Sequence, residues 1–361
     1  SLPVPDYHRQ LVKRYPGRWP NIVGDIPDGE VVDDSALLRM MMDLGRANPI
    51  YYLHPSFGFY FEHFYAEPRG LIYQLTPYAT NQVFPPALAA AQFDANQSFW
   101  KSQETRLGSL PLTGRREVLE NLSDRAFVAQ FYSRALNDWG VTLQKSRKLV
   151  EAGQWFKAAT DLSTNNRPAI VNFEFNQNLQ TKTPRQRETL KSIEEKFGLY
   201  RSWEDILQKN GPFDHPDFCL LLGDIFSQQN LLREAALQFD RTQTFEPTNL
   251  VARLALANVY LQALQPENAL AAVTAVRALK PSEPISADTE LEIVRLEAAA
   301  HFARTNYAAA EKVLLEAQAK YPDRISVLDA LVMFYGKTQR LTNAFETIDK
   351  ILKLSPDHPQ A

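Results

Sequence analysis

Two adjacent carboxylates, Asp33 and Asp34, and a nearby histidine, His54, are the residues whose types come closest to a chemical site. Neighbouring carboxylates suit hard cations, and the run Gly29 to Ser35 reads as a strand giving way to a helix, a junction where α/β proteins hold ligands. His54 and His63, the second preceded by Glu62, would add imidazole nitrogens. Zinc requires three or four convergent ligands, and this His spacing matches no familiar arrangement, so no metal is expected. A helix cap accounts for Asp33 and Asp34 more simply. Asp33, Asp34 and His54 therefore stand as a candidate ligand site and not as a catalytic set. The chain has no Gly-x-Ser-x-Gly elbow, no phosphate loop and no dinucleotide fingerprint, and its 14 glycines are too few for a Gly-rich phosphate cradle. The expectation is a non-enzyme with no catalytic residues and no cofactor.

The elements around these residues belong to an amino-terminal part, residues 1–116, dense in proline and aromatics. Ala36 to Ala47 has helical spacing, with Leu37, Leu38, Met41 and Leu44 on one side, and Ile50 to Leu53 follows as a strand. Strand, helix and strand in this order predict a parallel pair with a right-handed crossover. Phe57 to Tyr65 and Gly70 to Leu75 are expected as further strands, giving a small α/β module. Residues 51–78 hold ten of the chain's forty aromatic residues. Such crowding serves either a sugar or peptide site or, more simply, a compact core and a face packed on helices.

Behind that module the chain becomes periodic. Prolines at 247, 281, 322 and 356 are separated by 34, 41 and 34 residues. In register with them recur Leu222, Gly223, Phe226, Ala235 and Phe239; Leu256, Ala257, Tyr260, Ala269 and Val273; Ala298, His301, Ala310 and Leu314; and Leu331, Val332, Tyr335, Ala344 and Ile348. A period near 34 means stacked helix pairs, each too small to bury its apolar face alone. Small residues let two helices touch, large ones fill the groove beside them, and proline ends the second helix. The longer gap holds seven extra residues, Ser282 to Asp288, which read as a longer turn. Glu297 and His301 stand at positions that are apolar elsewhere, so the third unit is expected to pack less well or to meet another surface.

These residues resemble the tetratricopeptide repeat over about 216–356. The resemblance implies an α-α superhelix whose first helices line a concave groove, with Asp224, Gln228, Asn258, Gln262, Arg295, Phe302, Met333 and Lys337 facing it. Asn258 matches an Asn with which peptide-binding members hold a ligand's backbone. The Lys, Asn and Arg set that clamps a terminal carboxylate in chaperone-binding members is not assembled here. An earlier echo runs through Trp139, Leu143, Leu149, Trp155, Ala158 and Leu162, with Glu151 to Gly153 expected as the turn of a helix pair. Helices are expected from Ala169 to Leu179, from Pro184 to about Phe197, and from Ser202 to Gln208. The predicted organisation is thus mainly α: a small α/β module at 1–116, an irregular helical section at 117–211 with one degenerate pair, and four repeats in a solenoid at 212–361.

Composition narrows the function classes. A net charge of −3 and a pI near 6.1 lack the basic footprint of nucleic-acid binding. The single cysteine, Cys219, excludes an intramolecular disulfide and reads as a small core residue. The longest uncharged stretch, Gly70 to Phe93, is broken by Pro77, Pro85 and Pro86 and is no membrane span. The opening Ser1-Leu2-Pro3 suggests an excised part of something longer. Val32 to Ser35 and Asn48 to Gly58 are similar to soluble segments that follow the transmembrane helices of large bacterial membrane proteins with repeat-bearing carboxyl ends. That likeness implies an extracytoplasmic accessory domain of a membrane enzyme resembling lipid-linked-sugar glycosyltransferases, with the membrane domain of the same polypeptide as a partner. Without it, the expectation is a cytoplasmic scaffold. The leading expectation is a non-catalytic scaffold that binds a protein or peptide partner in the groove.

Overall fold

The computed structural model describes residues 4–22, 30–53, 58–107, 124–183, 202–279 and 285–357. His54, Phe57, Pro281 and the helix expected from Pro184 lie outside them. The chain divides into two compact units, 1–218 and 219–361. Among the described residues no helix is long and apolar enough to cross a membrane.

The first unit opens with helix α1 (Pro5–Arg14) and helix α2 (Asp34–Gly45), followed by strand β1 (Ile50–Tyr52), a short 3-10 turn (Phe59–Glu62), and strands β2 (Phe64–Arg69) and β3 (Ile72–Pro77). The sheet order is β1-β3-β2 and both pairings are antiparallel, with Tyr51 opposite Gln74 and Ala66 opposite Leu75. The expected parallel pair is therefore overturned. Val31 and Val32 are not in a strand; Val32 is buried against α2 by its side chain alone. Phe59–Glu62 coils instead of extending, and the strand expected there starts only at Phe64. The link between β2 and β3 is the two residues Gly70 and Leu71, too short for anything but a hairpin. Gly70 has φ +70°, and a Cβ there would lie 2.9 Å from the Phe99 ring, so only glycine fits the turn. Asn96 pins that hairpin by accepting from Gly70 N at 2.7 Å and donating to Pro68 O at 2.8 Å. Asn96 belongs to α3 (Ala90–Leu107).

Among the described residues, helices α4 (Asp124–Lys145), α5 (Leu149–Leu162), α6 (Arg167–Thr181) and α7 (Trp203–Asn210) follow in this unit. Their core joins Phe93 and Trp100 of α3 to Trp139, Leu143, Trp155 and Phe156. Glu151 to Gly153 are not a turn. They form the first turn of α5, and the chain reverses at Ser146 to Lys148, because left-handed Arg147 and not the Gly closes α4.

Across 216–357 four helix pairs follow: α8 (Pro216–Gln228) with α9 (Leu232–Phe245), α10 (Leu250–Gln262) with α11 (Pro266–Ala278), α12 (Ala287–Ala303) with α13 (Tyr307–Lys320), and α14 (Ile325–Lys337) with α15 (Leu341–Leu354). One contact recurs at a separation of 16 residues. Gly223 faces Phe239, Ala257 shares a cluster with Val273, and Ala298 shares one with Leu314. A Cβ at Gly223 would sit 2.5 Å from the Phe239 ring, and a Cβ at Gly140 equally close to Phe156. Thus α4 and α5 form a fifth pair of the same kind in the first unit. Each pair also buries one alanine at the same offset: Ala152, Ala235, Ala269, Ala310 and Ala344.

The third unit has a buried core, within which His301 Nδ1 has no hydrogen-bond partner among the described residues. Its Leu296, Ala300 and Ala310 are fully buried, and Glu297 meets Arg277 of α11 in an ion pair instead of leaving a gap. Of the inserted residues, 282–284 lie outside the described residues. Ser286 accepts from Thr289 N and caps α12, so Ala287 and Asp288 are already helical, and α12 has 17 residues where α8, α10 and α14 have 13.

Every pair closes its first helix in the same way. Arg147, Asn230, Leu264, Thr305 and Gln339 all have φ between 57° and 61°. The next residue donates its N–H to a carbonyl five positions back, as Leu231 does to Phe226 at 2.9 Å and Gln265 to Tyr260 at 2.8 Å. This is the Schellman closure, which favours glycine at the left-handed position. Leu264 is 87% exposed, so its side chain contributes little packing against that strain. Leu264→Gly is expected to stabilise the protein by about 1 kcal/mol and to raise the melting temperature in a circular dichroism scan.

Candidate functional site

Asp33 and Asp34 are occupied structurally. Asp33 accepts from Ala36 N at 2.9 Å as the N-cap of α2, and Asp34 accepts from the Tyr60 hydroxyl at 2.6 Å. Burial, then the hydrogen bond to Asp34, push the Tyr60 hydroxyl well above its ordinary pKa. The His63 ring packs edge-on against Phe59. Among the described residues no three His, Cys, Asp or Glu side chains converge as a metal site.

A cluster the sequence did not indicate lies where β3 meets α4. Tyr73 is buried and hydrogen-bonds Asp138, with Arg134 and Tyr52 close by. Burial raises the Asp138 carboxyl to about 6, against the lowering effects of the Tyr73 hydrogen bond, Lys145 and Arg134. The folded state then holds this proton more tightly than the unfolded chain does, so the contribution is complete below pH 4 and is lost as pH rises through 6. The shift corresponds to no more than about 3 kcal/mol, and less because Asp138 keeps some solvent contact. Asp138→Asn is expected to remove this downward slope from urea midpoints measured between pH 4 and 7 and to leave the mutant more stable at pH 7.

Two surfaces made of first helices can be compared, each within its own unit. On α4 and α6 the surface is filled by the chain itself. Asn137 Nδ2 donates to Asn210 O at 3.0 Å and to Pro212 O at 2.9 Å. Asn172 donates to Asn137 Oδ1 and to Pro212 O and accepts from Asp214 N at 2.7 Å. Gln144 donates to the Asp214 carboxylate at 2.8 Å, and Asn176 donates to Gln144 Oε1. These amides hold the main chain from Asn210, the last residue of α7, to Asp214, almost wholly buried.

In the second unit the matching faces of α10, α12 and α14 carry side chains open to solvent. Val251 and Met333 are 60% and 58% exposed, and Asp224, Gln228, Gln262 and Lys337 are exposed as well. Partial desolvation pushes the Asp224 carboxyl up. Arg295 is held by Glu292 of its own helix at 2.6 Å and reaches Asn258 of α10 at 3.5 Å. Lys337 lies 5.5 Å over the Phe302 ring, so neighbouring first helices meet along this face. A separate open concavity of about 560 Å³ sits over Leu270, Ala271, Thr274 and Ala275 of α11; its lining is small and largely apolar and holds no reactive set.

The architecture is a tetratricopeptide-like helical solenoid. No family model and no curated protein matches the chain. Among solved structures it is similar to MamA (residues 41 to the end) from Desulfovibrio magneticus RS-1, at 16% identity over 54% of this chain and 97% of that one, with a TM-score of 0.36. The Cut9–Hcn1 assembly of the APC/C is 13% identical over 75% of this chain and 50% of that one, at 0.37. YrrB, a TPR protein with an unusual peptide-binding site, is 13% identical over 63% of this chain and 88% of that one, at 0.30. At such scores these likenesses carry no argument, and the fold rests on the repeated helix pairs themselves.

Proposed function

We propose that this protein is a non-catalytic scaffold that binds an extended segment of a protein partner along the first helices of residues 219–361. The observation supporting this reading is the contrast on each first helix. One face is buried in the repeat, while the other leaves Val251 and Met333 in water along a row of helices that also carries the amides of Gln228, Asn258 and Gln262. Exposed apolar groups interleaved with hydrogen-bonding amides suit main chain with alternate side chains. Asp224, Arg295, Phe302 and Lys337 complete the surface, and the division at 1–116, 117–211 and 212–361 belongs to the same reading.

Partners captured by affinity purification and then measured one by one provide the test. Asn258→Ala combined with Met333→Asp is expected to weaken binding at least tenfold, about 1.4 kcal/mol, with the thermal melt unchanged. Undiminished affinity for every captured partner removes the groove as the binding surface.

A further inference from the structure

Several charged side chains described in the second unit are neutralised in pairs. Arg277 meets Glu297, Arg295 meets Glu292, Arg304 meets Glu267, Lys320 meets Glu290, Arg324 meets Asp288 and Arg340 meets Glu311. Two groups on the first-helix face depart from this pattern. Lys337, on α14, has no carboxylate against it among the described residues and rests over the Phe302 ring. Asp224, on α8, has no cation against it among the described residues. They occupy the first and last helices of the row, with the amides of Gln228, Asn258 and Gln262 between them and the closed Glu292–Arg295 pair adding no net charge.

Resting on the groove reading above, we propose that these two charges select the partner: an extended peptide with a basic side chain against Asp224 and, at its other end, a carboxylate against Lys337 beside an apolar side chain on Phe302 and Met333. The apolar part follows from Met333, which is 58% exposed one helical turn before Lys337, and from the half-buried Phe302 ring. The spacing follows from helix packing. Helices in contact lie 8–10 Å apart, so three steps from α8 to α14 span roughly 25–30 Å. An extended chain advances about 3.3 Å per residue, which places the two charges about eight residues apart. The closed surface on α4 and α6 supplies an internal parallel: there amides hold the main-chain carbonyls of Asn210 and Pro212, and Gln144 donates to the side-chain carboxylate of Asp214. Unlike charges on the first and last helices fix the register of the occupant and exclude peptides charged the opposite way.

The test uses the full chain and four fluorescein-labelled nonapeptides with a common Ala/Gln/Ser interior and Leu at position eight. Their first and ninth residues are Lys and Glu, Lys and Lys, Glu and Glu, or Gln and Gln. By anisotropy at low salt, the Lys/Glu peptide is expected to bind at least tenfold tighter than the other three, with the advantage shrinking at 0.5 M salt. Lys337→Glu is expected to transfer that preference to the Lys/Lys peptide, and Asp224→Lys to the Glu/Glu peptide. Both sites are exposed, so folding is retained, as a circular dichroism melt checks. Equal affinity for all four peptides, still lowered by Asn258→Ala with Met333→Asp, overturns the charge assignment and leaves the groove standing. Absence of binding by any peptide overturns the assignment too, while the captured-partner measurements decide the groove separately.

Discussion

Gly223→Val is expected to destabilise the second unit by about 3 kcal/mol or more, read as a lower urea midpoint in helical circular dichroism. Even the first atom of a side chain at this position would stand 2.5 Å from the Phe239 ring, well inside contact distance. The ring has no room to retreat, since Phe239 is among the largest fully buried side chains of the protein. Valine also loses rotamer freedom inside a helix, which adds to the cost. The remedy is written elsewhere in the chain, where the fourth pair carries Val332 and Ile348 at the same two positions. Phe239→Ile alone leaves a cavity and is expected to cost about 2 kcal/mol. The double variant is expected to recover more than half of the summed loss, a coupling that only touching residues give. Strict additivity of the two losses would show that Gly223 and Phe239 do not pack as a small-against-large pair.

That contact also marks how far the sequence could be read. The repeats were legible because their chemistry is local and periodic: a proline closes each pair, and a small residue recurs 16 positions before a large one. Gly140 and Phe156 obey the same rule, which adds to the pair expected through Trp139 and Leu162, although Thr164 stands where a proline closes the others. The parallel pair was a misreading because Val31 and Val32 look like a strand when apolar content alone is weighed, whereas the antiparallel pairing depends on the short link at Gly70. Asp138 gave no signal, since the tyrosine that hydrogen-bonds it, Tyr73, comes from β3 and is distant in sequence. The site residues behave similarly. Asp33 was recognisable as a cap from its place before Ala36, whereas nothing in the local sequence pairs Asp34 with Tyr60, 26 positions away.

The amide ladder of the first unit is the extreme case of such hidden order, and Asn172→Leu is expected to be the most damaging substitution there. Asparagines at 137, 172 and 176 read as ordinary polar residues on helices, yet all three are buried, and apart from Gln180 beside Asn176 their partners lie 27 to 75 positions away. Leucine fills nearly the same volume but makes none of the three hydrogen bonds of Asn172. Pro212 O keeps Asn137 Nδ2 as a donor, so it is not stranded. Asp214 N and Asn137 Oδ1 lose the partners Asn172 gives them, in an interior that admits no easy replacement. At about 1–3 kcal/mol for each stranded group, the loss is about 2–6 kcal/mol. All five tryptophans lie within residues 1–218, so their fluorescence follows the affected unit directly through a urea titration. Gln180→Ala serves as the contrast: it sits at the exposed end of the same ladder, where water can replace its bond to Asn176, and is expected to cost under about 0.5 kcal/mol. Asn172→Asp separates hydrogen bonding from shape. Its carboxylate still accepts from Asp214 N but faces the Asn137 and Pro212 oxygens without a proton to offer, so it is expected to be at least as damaging as leucine at pH 7 and to recover as the carboxylate is protonated in acid. If leucine were tolerated at this position with a midpoint near wild type, the segment from Asn210 to Asp214 would be held by its apolar packing, through Phe213 against Phe218, and the amides would be incidental.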